Sequence, residues 1–204
     1  MNFLSCYTYQ KGDIMIPADD ALKKLLDGNK RFTSFSSKNR EQNLEYRKSL
    51  INQQTPYAVV ITCSDSRVCP EIIFDCDLGE IFTIRVAGGA LDNYIFASID
   101  YAVLVLGVNL IVVLGHDNCG VINYTLKNTS GFSPDIESLK EHVSRHFKDK
   151  DISTISSSDA AKNVVLKDVE ALNNHLAFQE KLKNGQLKII PAHYNFYTNE
   201  VELF

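Results

Sequence analysis

Two short segments carry the residue types that do metal chemistry: Cys63-Ser64-Asp65-Ser66-Arg67 and His116-Asp117-Asn118-Cys119-Gly120. Two thiolates and an imidazole make a donor set that suits zinc, and the His-x-x-Cys spacing lets His116 and Cys119 reach one ion. Cys119 falls at the expected start of a helix, whose dipole favours the thiolate form of a cysteine. Ligand number then decides what kind of site this is. Four protein ligands close a site as structural, whereas three leave a position for water. Asp65 could be the fourth. Arg67, two residues on, could instead hold that carboxylate in a bidentate pair, off the metal and turned to accept a hydrogen bond from bound water. Two thiolates already neutralise a divalent ion, and a third anion would weaken it as a Lewis acid, so the open arrangement is expected. Either segment alone also reads as a buried cysteine after a strand with a loop histidine beside it. Both together, at the ends of neighbouring strands, point to a metal.

The elements that must position these residues are legible as alternating apolar patterns. Tyr57 to Thr62 is a continuous β-branched run, as in a strand buried on both faces. Ile81 to Val86 and Leu110 to Leu114 are two more strands, and Leu187 to Pro191 another, followed by a hairpin over His193 to Leu203 turning at Thr198-Asn199. Ala21 to Phe32 has leucines at helical spacing behind Asp19 and Asp20, and Asn93 to Leu106 is apolar nearly all round, as a buried helix would be. Asp135 to Phe147 and Asp159 to Leu182 read as amphipathic helices separated by a serine-rich break at Ser153 to Ser158, and Ser34 to Pro56 reads as a polar loop. Strands alternating with helices predict an α/β fold, a mainly parallel sheet flanked by helices. In such sheets ligands bind beyond the carboxyl ends of the strands. Thr62 and Gly115 are two such ends, and both metal-type segments follow them directly.

Composition bounds the rest. With 204 residues and 45% hydrophobic content the chain supports one sizeable core, and its 23% charged residues are ordinary for a folded protein. The net charge is -4 and the basic residues form no patch, so no nucleic-acid partner is expected. The longest apolar region, Tyr101 to Gly115, is broken by Gly107 and Asn109 and too short to span a bilayer, so no membrane partner is expected either. Residues 1–16 read as an irregular tail without an export signal, with Met15 as an alternative start and Leu4-Ser5-Cys6 as a faint, unsupported lipoprotein pattern. Five cysteines, an odd number, argue against a complete disulfide framework and for a reducing, cytoplasmic location.

Taken together, Cys63-Ser-Asp-Ser-Arg-Val68, Arg85-Val-Ala-Gly-Gly89 and His116-Asp-Asn-Cys-Gly120 resemble the β-class carbonic anhydrase family, in particular its plant-like branch. The resemblance runs from about Pro17 to the C-terminus and includes Asp20 to Asn29 and Leu110 to Gly115. It implies one domain over 17–204 with an N-terminal helical arm, and one Zn2+ per chain held by Cys63, His116 and Cys119. It makes Asp65 and Arg67 the catalytic dyad, with Asp65 itself a metal ligand in the inactive state of some members. Gln54 matches an amide that hydrogen-bonds substrate, Phe82 and Tyr101 match aromatic pocket residues, Ala87 stands where valine is common, and Gly120 supplies backbone near the metal. Gly88-Gly89 departs from the commoner Gly-Asn or Ala-Asn. The implied reaction is reversible hydration of carbon dioxide to bicarbonate and a proton by zinc-bound hydroxide, since zinc lowers the pKa of bound water from 15.7 to about 7. Members pair through their amino-terminal helices, implying a homodimer or tetramer. Two alternatives stay open: a hydrolase of carbon disulfide or carbonyl sulfide on the same scaffold, and a non-catalytic closed-site zinc protein.

The remaining histidines and cysteines read as structural. His142 and His146 share a helix face at i, i+4 but lie among Lys140, Arg145 and Lys148, which predicts a solvated face. Cys69 and Cys76 are expected to pack, and His175 and His193 to have structural roles. Gly88-Gly89 is not a phosphate loop, because neither GxxxxGK nor GxGxxG occurs. No residue is an obvious proton shuttle; Tyr101 or a buffer molecule could serve.

Overall fold

A computed structural model describes residues 16–38, 43–128, 130–147 and 155–204. The expected tail with Cys6 and Met15, part of the polar arm after Ser34 and the first residues of the serine-rich break lie outside the described residues.

The apolar runs form a five-stranded sheet in the order β2-β1-β3-β4-β5. Its members are β1 (Ala58–Cys63), β2 (Ile81–Val86), β3 (Leu110–His116), β4 (Lys188–Tyr194) and β5 (Val201–Leu203). The first four are parallel, and β5 turns back antiparallel to β4. β1 is buried along its whole length and β3 nearly so, whereas β2, at the sheet edge, alternates in burial. The side-chain period of two splits the core into two layers. Ala58, Val60, Leu110 and Val112 face the layer that holds Ala21, Leu25, Ile73 and Phe74. Val59, Ile61, Ile111 and Val113 face Ile99, Val103, Val165, Leu172 and Phe178.

Helices cover both faces: α1 (Ala18–Thr33), α2 (Leu44–Ser49), α3 (Pro70–Ile73), α4 (Asn93–Asp100), α5 (Gly120–Leu126), α6 (Pro134–Ser144), α7 (Ser157–Asn173) and α8 (Gln179–Lys183). Gly28 lets α1 approach closely, since a Cβ there would lie 1.8 Å from the Phe74 carbonyl oxygen. Asn29 joins α1 to the far sheet edge: its amide nitrogen donates to the carbonyls of Ile73 and Asn199, and its oxygen accepts from the Val201 N–H.

Three expectations change in detail. The polar segment after Ser34 contains α2, started by Asn43, whose side chain accepts from the Tyr46 N–H at 2.9 Å. The helix expected over Asn93 to Leu106 ends as an α-helix at Asp100 and widens into a π turn over Tyr101–Val105, where the Leu106 N–H reaches the Tyr101 carbonyl. The long helix expected over Asp159 to Leu182 breaks after Asn173, and α8 restarts at Gln179.

Chain order fixes where a ligand fits. β1 connects outward to β2, while β3, on the other side of β1, connects toward β4. The carboxyl ends of β1 and β3 therefore flank the point where the winding reverses, the usual crevice for a ligand in an open parallel sheet.

Candidate metal centre

Cys63 is the last residue of β1, His116 the last of β3, and Cys119 caps the start of α5. Thr62 lies beside Leu114 in the β1–β3 register, so the two strand ends are level and their terminal side chains converge. One ligand atom from each of Cys63, His116 and Cys119 lies within 4.8 Å of the others, and all three residues are buried. The sulfurs are 4.0 Å apart. Such a pair shares a proton: the hydrogen bond from Cys119, helped by His116 and the N–H groups of Gly88 and Asp65, draws Cys63 below an ordinary thiol against its burial, while the same pairing and burial push Cys119 above one. The Gly88 N–H reaches the Cys63 sulfur at 3.3 Å and the Asp65 N–H at 3.4 Å. Gly88 makes this contact with φ at +71°, a left-handed conformation that glycine adopts without strain.

The donor set passes a direct test for zinc. His116 Nδ1 donates to the Asp117 carbonyl at 2.8 Å, which fixes the tautomer and leaves a lone pair on Nε2. That Nε2 is buried and has no hydrogen-bond partner. An orphaned imidazole nitrogen facing two sulfurs is the arrangement a tetrahedral zinc ion completes.

Asp65 and Arg67 form the bidentate pair. Arg67 Nε donates to Oδ1 at 2.9 Å, Nη2 to Oδ2 at 2.7 Å, and the Arg67 backbone N–H to Oδ1 at 3.0 Å. These hydrogen bonds hold the Asp65 carboxyl down to about 2. Both of its oxygens are engaged by Arg67, which is the arrangement expected to keep the carboxylate off the metal.

Several contacts that support this centre carry no signal in the sequence, even where the residue itself lies in one of the motifs. Arg67 lies over the Phe196 ring at 4.4 Å, and Phe196 packs on the His116 ring at 5.3 Å between centroids. Arg85 donates to the Cys63 carbonyl at 3.2 Å and the Asp65 carbonyl at 2.7 Å, fixing the loop between ligand and dyad. Asp117 accepts from His193 Nε2 at 2.9 Å and from the Phe196 N–H at 3.0 Å. His193 thus has a structural partner, as has His175, whose Nε2 bonds Asp100 at 2.8 Å. Cys76 is buried against the Tyr57 hydroxyl at 3.1 Å.

The expected substrate residues are more scattered. Phe82 and Tyr101 face each other with ring centroids 6.4 Å apart, Tyr101 on the π turn and partly exposed. Ala87 opens the tight turn after β2, and Gly120 is the first residue of α5. Gln54 is exposed in the loop before β1. A cavity of about 20 Å³, room for one water molecule, runs from Cys63, His116 and Cys119 past Gly88 and Gly89 to Asp168. Gln54, Phe82, Ala87 and Tyr101 are not among its lining residues.

One expectation is overturned. His142 and His146 do not form a solvated face: His142 is 5% exposed, and both turn toward the buried carboxylate of Asp168. The charged neighbours in sequence mislead because α7 covers this side of α6, and its Asp168 is remote in the chain.

With the geometry in place, comparison with known proteins is decisive. The family model described as carbonic anhydrase matches residues 58–201, well over half of the chain. The chain belongs to the β-carbonic anhydrase family. It is 31% identical over 196 residues to the carbonic anhydrase of Synechococcus elongatus, covering 88% of this chain and 70% of that one. It is 49% identical over 122 residues to the carbonic anhydrase of Mycolicibacterium smegmatis, covering 57% of this chain. That match spans 59% of the relative's own length, and other curated carbonic anhydrases are likewise matched over about half of theirs. A tetrameric β-carbonic anhydrase from Sordaria macrospora shares the fold with a TM-score of 0.72 at 20% identity, covering 91% of this chain and 97% of that one. Among the described residues, no helix of this family member is long and apolar enough to cross a membrane.

Proposed function

We propose that this chain is a zinc-dependent carbonic anhydrase that hydrates carbon dioxide reversibly to bicarbonate and a proton. The observation that carries the reading is the pairing of three converging buried donors with a carboxylate clamped beside them by arginine. Cys63, His116 and Cys119 would hold the ion. Bound there, zinc supplies Lewis acidity that brings the pKa of water down to about 7.

The chain's own residues supply orientation and exclusion. Asp65, ionised and pinned by Arg67, is a fixed acceptor for a proton on the attacking oxygen. Arg85 and the Gly88 N–H hold the loop and the Cys63 sulfur in place, so little reorganisation is left for the reaction itself. The proposal assigns Phe82, Ala87 and Tyr101 to an apolar wall for a linear, uncharged substrate, the Gln54 amide to a hydrogen bond with its oxygen, and Gly120 to backbone near the metal; the first four stand outside the small cavity at the three donors. The same proposal takes residues 17–204 as one domain, preceded by a tail over 1–16. It places the protein in the cytoplasm, where the four free cysteines of the described residues stay reduced.

Self-association belongs to the proposal as well, as a homodimer or tetramer. Among the described residues β2 is an unpaired sheet edge, and Tyr94, Tyr101, Leu104 and Val105 are exposed apolar side chains on the segment that follows it. The tetrameric relative from Sordaria macrospora points the same way.

The deciding experiment is stopped-flow hydration of carbon dioxide by the zinc-loaded full chain, with carbon disulfide and carbonyl sulfide hydrolysis measured alongside. Saturable hydration proportional to bound zinc is expected. Activity toward the sulfur compounds alone, or toward none of the three, overturns the proposal.

A further inference from the structure

We propose that His142, His146 and Asp168 form a second metal site, for a divalent transition ion of the zinc class, between α6 with its following turn and α7. The proposal does not depend on the reaction assigned above.

One ligand atom from each of the three residues lies within 4.8 Å of the other two. His142 Nε2 is 3.6 Å from Asp168 Oδ1, and His146 Nε2 is 3.9 Å from the same oxygen. These separations are too long for hydrogen bonds and somewhat longer than the roughly 3.3 Å between ligands of a tetrahedral zinc ion. Small rotations of the two imidazoles, which bring their nitrogens closer by roughly 0.3 and 0.6 Å, close the difference. The rings already meet edge to face, at 87° and 5.1 Å between centroids, so both nitrogens address one volume.

The second observation concerns unmet hydrogen bonding. Among the described residues six buried side-chain nitrogen and oxygen atoms have no partner, and three of them are His142 Nδ1, His142 Nε2 and His146 Nε2. A fourth is His116 Nε2, which faces the first metal centre. Buried polar atoms are nearly always satisfied, so an orphaned ring nitrogen from each of two histidines beside a buried carboxylate calls for an occupant, one that takes a single nitrogen from each ring. A proton is a poor one. Burial, reinforced by the charges of His142, Arg145 and Lys167, pulls His146 down to about 4, which keeps its imidazole in the neutral form a metal takes. Asp168 is 3% exposed, and burial raises it against the pull of His142, so its carboxylate also lacks a full counter-charge.

Two imidazoles and one carboxylate form a borderline donor set. It favours zinc, cobalt or nickel over magnesium and calcium, which prefer all-oxygen sites, and over copper(I), which prefers sulfur. With three protein ligands, a water from the cavity that Asp168 lines can fill the remaining position. The consequence is mechanical. Val143 and Phe147, each next to one of the histidines, pack in the same cluster as Cys63 and Cys119. An ion here would brace α6 and α7 against the wall of the first centre.

The test is metal stoichiometry. The full chain is equilibrated with zinc, freed of loose metal and analysed for zinc per chain. Two equivalents are expected for wild type, and one each for His146→Ala and for Cys63→Ser, which lose different ions. Cobalt(II) titration of the wild-type chain gives a second readout that survives if the variants fold poorly. One equivalent should bring thiolate-to-cobalt charge-transfer bands in the near ultraviolet. The other should add only weak visible bands of nitrogen and oxygen ligation. A wild type that binds a single equivalent with thiolate bands, or a His146→Ala variant that keeps both zinc ions, overturns the second site. Loss of the thiolate bands alone would count against the first centre and leave this one standing.

Discussion

The two buried three-donor clusters of this protein lie near one cavity yet are built in opposite ways. Cys63 and His116 are terminal residues of neighbouring parallel strands, and Cys119 follows three residues later at a helix start. Their convergence is dictated by sheet register: once β1 and β3 pair, their ends must meet. His142, His146 and Asp168 lie on two helices, and nothing but the packing of α7 against α6 and its turn brings them together. The first cluster is surrounded by donors, from the N–H groups of Gly88 and Asp65 to the arginine clamp on Asp65. Among the described residues the second has no such support. A site held by strand ends comes with a prepared environment, whereas a site held by helix faces gains its order from whatever occupies it.

The largest effect that would sharpen this contrast is removal of a strand-end thiolate. Cys63→Ser should lose the zinc of the first centre, because an alcohol is a poor zinc ligand near neutral pH. Hydration should fall to the buffer background, while the ion between α6 and α7 stays. Full zinc content together with undiminished hydration would break the comparison at its base.

The difference in construction also explains what the sequence made legible. Each strand that carries a ligand is an apolar run that leads directly to the reactive residue, so the positions of Cys63 and His116 are legible in the sequence. The Ile81–Val86 strand was readable for the same reason. The histidine pair was not, because exposure of a helix face depends on a partner more than twenty residues away in the chain. Lys140 and Arg145 gave α6 the look of a solvated helix, and nothing local announces that Asp168 covers it. Phe196 and the role of Arg85 are not legible for the same reason: their contacts with His116 and Asp65 cross between strands and loops. The break after Asn173 did have a local signal in Asn173-Asn174, which ends a helix readily. A continuous amphipathic pattern outweighed it.

The next effect concerns the arginine clamp at the strand-end site, which has no counterpart at the second cluster among the described residues. Arg67→Ala should leave zinc in place but release the Asp65 carboxylate, free to turn onto the metal. Hydration per bound zinc should then drop by roughly 10² to 10³, the scale on which loss of a positioning group is felt. Asp65→Asn cannot supply an anionic ligand and should lose less. The double variant should be no worse than Asp65→Asn alone, because the group that does the damage is gone. An Arg67→Ala enzyme as fast as wild type would make the clamp merely structural and erase the main distinction between the two clusters.

The smallest effect uses Cys76 as the thiol that has neither kind of site. Burial pushes it up to about 11 from an ordinary 9.0, the reverse of Cys63, whose thiol is drawn down by Cys119 and two N–H groups. Because the folded value is raised, Cys76 keeps its proton in the fold while the unfolded chain loses one near pH 9. Its contribution to stability is therefore whole below pH 9 and is lost as pH climbs toward 11, to a total on the order of 2–3 kcal/mol. Tyr57, also raised by burial, adds a similar loss that begins near pH 10, so the thiol stands out between about 9 and 10. Cys76→Ser removes the titration but keeps a hydroxyl to pair with Tyr57. Urea denaturation of the zinc-loaded chains should show wild type losing stability faster than the variant between about pH 9 and 10, with a constant difference between them near neutrality. Curves that stay parallel through pH 10 would mean that Cys76 titrates like a free thiol. Burial without donors would then not separate this cysteine from the one that holds the metal.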